Sequence, residues 1–154
     1  MGQIEENLSK LGITLPEPAA PVANYVGYVV TGNLVFVSGQ VPFKDGKLAY
    51  VGKVGKELTL EEGAAAARQC AINILAQVKA ACGGDLERIR RCVKLGGFVN
   101  SVPDFTDHPK VINGASDLMV DVLGDRGRHA RFALGAGSLP GNCAVEVDAV
   151  FEIE

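Results

Sequence analysis

From Ala144 to Glu154 apolar and polar positions alternate without interruption. Val145, Val147, Ala149, Phe151 and Ile153 share one parity, and Glu146, Asp148 and Glu152 the other, with Val150 among them. Successive strand side chains point to opposite faces, so this is a half-buried strand with an acidic face. The run before it carries Phe132 and Leu134 on the apolar parity and Arg131 on the other. Gly135, Gly137 and Pro140-Gly141 supply turn residues between the two runs. The pattern predicts a C-terminal antiparallel hairpin with Arg131 and Glu146 on one surface. Earlier strands are expected at Tyr25–Thr31 and Leu34–Ser38, joined by a Gly32-Asn33 turn. Leu34 to Val37 are apolar on both parities, the mark of a strand covered on both faces. A shorter strand is expected near Leu48–Val51, and another at Ile89–Val99 with Val93, Leu95 and Val99 on one face.

The helical pattern is as distinct. Thr59 followed by Glu62 is a capping box, and Ala67, Cys70, Ala71, Ile74, Leu75, Val78 and Ala81 then recur at spacings of three and four. Gly83-Gly84 ends that helix. Pro109 opens a second one, with a stripe of Val111 or Ile112, Ala115, Leu118 or Met119, and Val122 or Leu123, stopped by Gly124. Ile4–Leu11 predicts a short helix ended by Gly12, and the prolines from Leu15 to Pro21 make an extended arm. The order is β-β-β-α-β-α-β-β. Each long helix has a single apolar face, so both are expected on one face of a mixed sheet, an α+β arrangement. The other face is left bare and partly apolar, which predicts a closed homo-oligomer.

Composition narrows the class. A chain of 154 residues, 47% apolar, is one domain, with residues 1–22 forming the N-terminal helix and arm. Net charge of −3 disfavours a general nucleic-acid binder. No apolar run reaches membrane-spanning length, and the N-terminus fits neither a signal peptide nor a myristoylation site, so the cytosol is the expected compartment. Cys70, Cys82, Cys92 and Cys143 have no CxxC spacing and are expected in the core. His108 and His129 stand apart without a local ligand pair, so no metal site is expected. Walker A, GxGxxG, GxSxG and HExxH patterns are absent.

Chemistry therefore falls to the last two strands. A planar guanidinium at Arg131 beside the Glu146 carboxylate suits a small anionic substrate and a positioned water. The plain alternative is a cross-strand ion pair of marginal value. Arg88, Arg90, Arg91 and Lys94 form a basic cluster, but without interleaved aromatics for stacking on bases, so a solvated edge or an inter-subunit contact is the expected role.

The ordered set of Tyr25, Gly32-Asn33-Leu34-Val35-Phe36-Val37-Ser38-Gly39-Gln40, Val93-Lys94, Phe98-Val99, Asp104-Phe105, Val111-Ile112-Asn113, Ala130-Arg131 and Val145-Glu146-Val147-Asp148-Ala149 resembles the YjgF/RidA family of enamine/imine deaminases, over roughly residues 20 to 153. The resemblance implies a chorismate-mutase-like fold assembled as a homotrimer, with clefts between subunits. It implies a cofactor-free hydrolase of the 2-iminobutanoate/2-iminopropanoate deaminase kind, converting 2-aminoacrylate-type enamines and imines to 2-keto acids and ammonia. In that reading Arg131 binds the substrate carboxylate and Glu146 positions water. Tyr25 and Ser38 donate hydrogen bonds in the cleft, and Gly39, Asn113 and Phe132 line it. A non-catalytic trimer binding small keto acids is the alternative, and an RNA-acting protein a third. The chain departs from the deaminase pattern at Phe132-Ala133, where Ser-Cys is usual, and at Ala23-Asn24, where Gly-Pro is usual.

Overall fold

The computed structural model describes residues 2–154. Helix α1 (Gln3–Lys10) is followed by the extended arm, then by strands β1 (Tyr28–Thr31) and β2 (Leu34–Gln40), paired across Gly32-Asn33. A two-stranded ribbon, β3 (Phe43–Lys44) and β4 (Lys47–Leu48), turns at Asp45-Gly46, both with positive φ. Such turns match the right-handed twist of the strands they join. Beyond Leu48 the expected strand reduces to a single bridge between Val51 and Cys143.

Helix α2 (Leu60–Ala81) begins at the foreseen capping box. Thr59 Oγ1 accepts from the Glu62 amide at 3.1 Å, and the Glu62 side chain accepts from the Thr59 amide at 3.0 Å. Strand β5 (Ile89–Asn100), helix α3 (His108–Leu123), strand β6 (Ala130–Ala136) and strand β7 (Val145–Ile153) complete the chain. On α3 both members of each alternative pair are buried, because the helix packs on α2, the sheet and α1 at once. Gly114 permits the close approach to α2: a Cβ there would strike the Ala64 carbonyl.

The main sheet has the order β1-β2-β7-β5-β6, antiparallel except for β5 and β6. This overturns the C-terminal hairpin. β5-α3-β6 is a parallel unit with a helical crossover, and β7 returns on the other edge of β5, where it also meets β2. A second revision concerns Val93. A register shift between Cys92 and Lys94 turns Cys92 inward and leaves Val93 exposed.

Both long helices cover one face, as expected. The core between them and the sheet includes Ile74, Val78, Leu95, Val99, Ile112, Met119, Val147 and Phe151. All four cysteines are free and buried, and burial raises each thiol, Cys143 to about 11. The outer face carries Val29, Phe36, Val150, Phe98, Phe132 and Leu134 together with Glu146, Asp148 and Glu152. Phe36 is left 46% exposed by the described residues, so the double-sided apolar pattern of β2 is only half answered within one chain.

Candidate functional site

Glu146 lies on β7 opposite Phe98 of β5, and both point to the uncovered face. β2 loses its regular pairing with β7 between Val37 and Gln40, which brings Gly39 against this carboxylate. A Cβ on Gly39 would collide with Glu146 Oε2, so glycine makes the close approach available. Ser38 anchors the segment before β1: its hydroxyl donates to the Val26 carbonyl at 2.6 Å, and its amide donates to the Gly27 carbonyl at 2.9 Å. Ser38 therefore presents lone pairs toward a ligand rather than a proton, a revision of its expected donor role. Tyr25, just outside β1, is 56% exposed. The structure thus sets Gly39 against Glu146, with Ser38 next to it in the chain and Tyr25 one residue from the Val26 carbonyl that Ser38 meets. Burial, and then the charge of Asp148, hold the Glu146 carboxyl above the ordinary carboxylate range.

Arg131 belongs to a different neighbourhood. It is level with Leu95 on β5, so it takes the inward parity, under α3. Its Nη1 donates to Ser116 Oγ at 3.0 Å and its Nη2 to the Pro109 carbonyl at 3.3 Å. Pro109, Asn113 and Ser116 are spaced by four and three, hence on one side of α3, and Asn113 is exposed there. Two donors are engaged by the helix, while a guanidinium has five, so the free ones remain for an anion. Ser116 was not anticipated. A polar residue three beyond Asn113 was the available signal.

Phe132 takes the opposite parity from Arg131. Its ring meets Phe98 edge-on, with centroids 5.3 Å apart, and the Lys94 ammonium lies 5.5 Å from its centroid. Phe132 therefore belongs to the face that holds Glu146 and does not touch the Arg131 position from the inward side.

The expected convergence of Arg131 and Glu146 on one surface of one chain is overturned. β5 separates their strands, and their side chains leave the sheet on opposite faces. The ion-pair alternative falls with it: neither residue takes part in an ion pair among the described residues. Recesses of about 440 and 460 Å³ lie elsewhere, one between the arm, the β3–β4 ribbon and α2, the other around Arg90, Arg126 and Glu154. Neither is lined by Arg131 or Glu146. The basic cluster is tied up locally: Arg88 donates to the Glu154 carbonyl, Arg91 to the Arg128 carbonyl, and Arg90 pairs with Glu154 at 3.9 Å. Among the described residues no group of three or more His, Cys, Asp or Glu side chains is placed to hold a metal ion, and no helix is long and apolar enough to cross a membrane.

Comparison with known proteins agrees with this architecture. The family described as "YjgF/chorismate mutase-like, putative endoribonuclease" matches residues 5–153. Protein TCP17 of Trypanosoma cruzi is 51% identical over 153 residues, covering 99% of this chain and 95% of that protein. The crystal structure of Atu1372 from Agrobacterium tumefaciens is similar with a TM-score of 0.93 at 54% identity, over 98% of this chain and 92% of that one. A structure from Shewanella oneidensis MR-1, bearing the same endoribonuclease label, gives a TM-score of 0.95 at 38% identity, over 99% and 100% of the two chains. The chain belongs to the YjgF/chorismate mutase-like family.

Proposed function

We propose that this YjgF-family chain is a cofactor-free hydrolytic deaminase of small enamine and imine acids, working as a closed homotrimer whose clefts each join Arg131 of one copy to Glu146 of the next. The observation that carries the reading is the complementarity of two incomplete half-sites. One offers a helix-braced guanidinium with unused donors, and the other a partly buried carboxylate that forms no ion pair among the described residues. Each lacks what the other supplies. The uncovered sheet face, with Phe36, Phe98 and Phe132 on it, gives the copies an apolar surface to share.

The chemistry follows from those groups. Arg131 takes the substrate carboxylate, which fixes the imine carbon relative to Glu146. Glu146 accepts a proton from water as its oxygen bonds to that carbon, giving a carbinolamine. The proton then passes from Glu146 to nitrogen, and as the C–N bond breaks the hydroxyl gives its own proton back to the Glu146 carboxylate, so that ammonia leaves the 2-keto acid. A carboxylate whose proton affinity is raised is suited to both transfers. Ser38 accepts a hydrogen bond from the iminium N–H, and Tyr25 is the remaining donor. Asn113 stands beside the guanidinium, and Phe132 with Phe98 supplies an apolar wall next to Glu146.

The endoribonuclease label of the relatives raises an RNA-acting reading. The face that presents aromatic rings also presents Glu146, Asp148 and Glu152, which would repel phosphates. The test of the deaminase reading is ammonia release from freshly generated 2-aminoacrylate. Arg131→Ala is expected to lower it by about 100-fold or more while the trimer persists. Equal rates would reject the reading. Saturable keto-acid binding without turnover over a panel of imines would leave a binding protein instead.

A further inference from the structure

A second layer of polar residues stands behind Arg131. Its Nη1 donates to Ser116 Oγ at 3.0 Å, Ser116 Oγ lies 2.8 Å from His129 Nε2, and His129 Nδ1 lies 2.6 Å from the Gly127 carbonyl. We propose that Ser116 and His129 are positioning residues, a relay that orients the Arg131 guanidinium for the substrate carboxylate. This inference rests on the carboxylate-binding role assigned to Arg131 above and adds two residues to it.

The direction of each hydrogen bond is set by its neighbour. A carbonyl only accepts, so the His129 ring carries a proton at Nδ1, and in the neutral tautomer with that proton the lone pair turns outward at Nε2. The Ser116 hydroxyl then donates to Nε2, which leaves its lone pairs facing Arg131. A helical serine without such an acceptor is free to rotate its proton toward the carbonyl of the preceding turn. With His129 in place only one rotor suits all three groups. The second bond, from Nη2 to the Pro109 carbonyl at 3.3 Å, fixes the guanidinium plane as well as its position. The remaining donors then leave the edge of β6 on the side of α3 that carries Asn113.

Local backbone geometry supports the relay. Gly127 ends the 3-10 turn Gly124–Gly127 that follows α3, and a Cβ there would run into the Met119 carbonyl. Glycine therefore lets this turn lie against α3, which brings its carbonyl within reach of His129. His129 itself directly precedes β6, two residues before Arg131 and on the same parity along the chain.

The test compares Ser116→Ala, His129→Leu and His129→Gln in the full chain, using pyruvate and 2-oxobutanoate as calorimetric probes beside steady-state turnover of an imine. Ser116→Ala and His129→Leu are expected to raise Kd and KM about 3–10-fold, the range for loss of one hydrogen bond, with kcat within about twofold. His129→Gln retains an acceptor toward Ser116 and should restore most of the loss. Wild-type Kd and KM in Ser116→Ala and His129→Leu, with Arg131→Ala binding nothing, would overturn the relay and leave the carboxylate site standing. Arg131→Ala binding as well as wild type, or a wild type that binds neither acid, would overturn the carboxylate reading and the relay with it. Nitrogen-15 shifts of the neutral His129 ring give a ligand-free check: a proton at Nε2 rather than Nδ1 would also overturn the relay.

Discussion

Arg131 and Glu146 leave the same sheet on opposite faces, Arg131 level with the inward Leu95 and Glu146 level with the outward Phe98. A small substrate held by both must therefore lie between two copies of the chain.

That arrangement predicts complementation. Arg131→Ala and Glu146→Gln chains, each inactive alone, should regain activity when refolded together. In a cyclic trimer every mixed assembly contains one cleft with both native residues, so an equal mixture should reach roughly a quarter of wild-type turnover. An ammonia assay on the co-refolded mixture measures this, and a site contained in one chain would recover nothing.

Glu146→Gln should separate activity from stability. In the single chain, burial and Asp148 raise the Glu146 carboxyl. Its folded form then binds a proton more tightly than its unfolded form, so this group favours folding at low pH and that contribution is lost as pH rises through the folded value. The glutamine variant should match wild-type stability in acid and exceed it near neutrality, while turnover falls by about 100-fold or more. A guanidinium from a second copy opposes the shift, so the stability gain should be larger in an Arg131→Ala background. Thermal melts across pH on the four proteins read both effects.

Gly39→Ala tests the close approach of β2 to the Glu146 carboxylate. The three atoms nearest the added methyl all belong to the Glu146 side chain, which would be displaced. The expected result is a fall in kcat/KM of about tenfold or more with a melting temperature near that of wild type.

Phe36→Glu addresses assembly. Phe36 is 46% exposed on the uncovered face, opposite Val150 on β7 and Val29 on β1. A charge there should cost the isolated fold within about 0.5 kcal/mol, as surface changes usually do, yet block burial of that face. Light scattering should show a monomer, far-UV circular dichroism an unchanged fold, and the imine assay no turnover.

Much of this molecule was legible in the order of its residues. The alternation of β7, the Thr59–Glu62 capping box, the stripe of α3 and the burial of the cysteines all follow from local periodicity and side-chain chemistry, and so do two helices on one face of a mixed sheet. Strand pattern singled out Arg131 and Glu146, and the family resemblance added Tyr25, Ser38, Gly39, Asn113 and Phe132 as candidate site residues. What local pattern does not carry is which strand lies beside which. Alternation tells a strand which of its own sides is buried, but says nothing of its neighbour, and the α3 crossover placed β5 between β6 and β7. It also reversed the meaning of β6, whose apolar Phe132 and Leu134 face outward beside Phe98, while Arg131 turns inward to α3. Long-range strand order and the bulges within it thus decided that Arg131 and Glu146 part company within one chain, and that Ser116 stands behind the guanidinium.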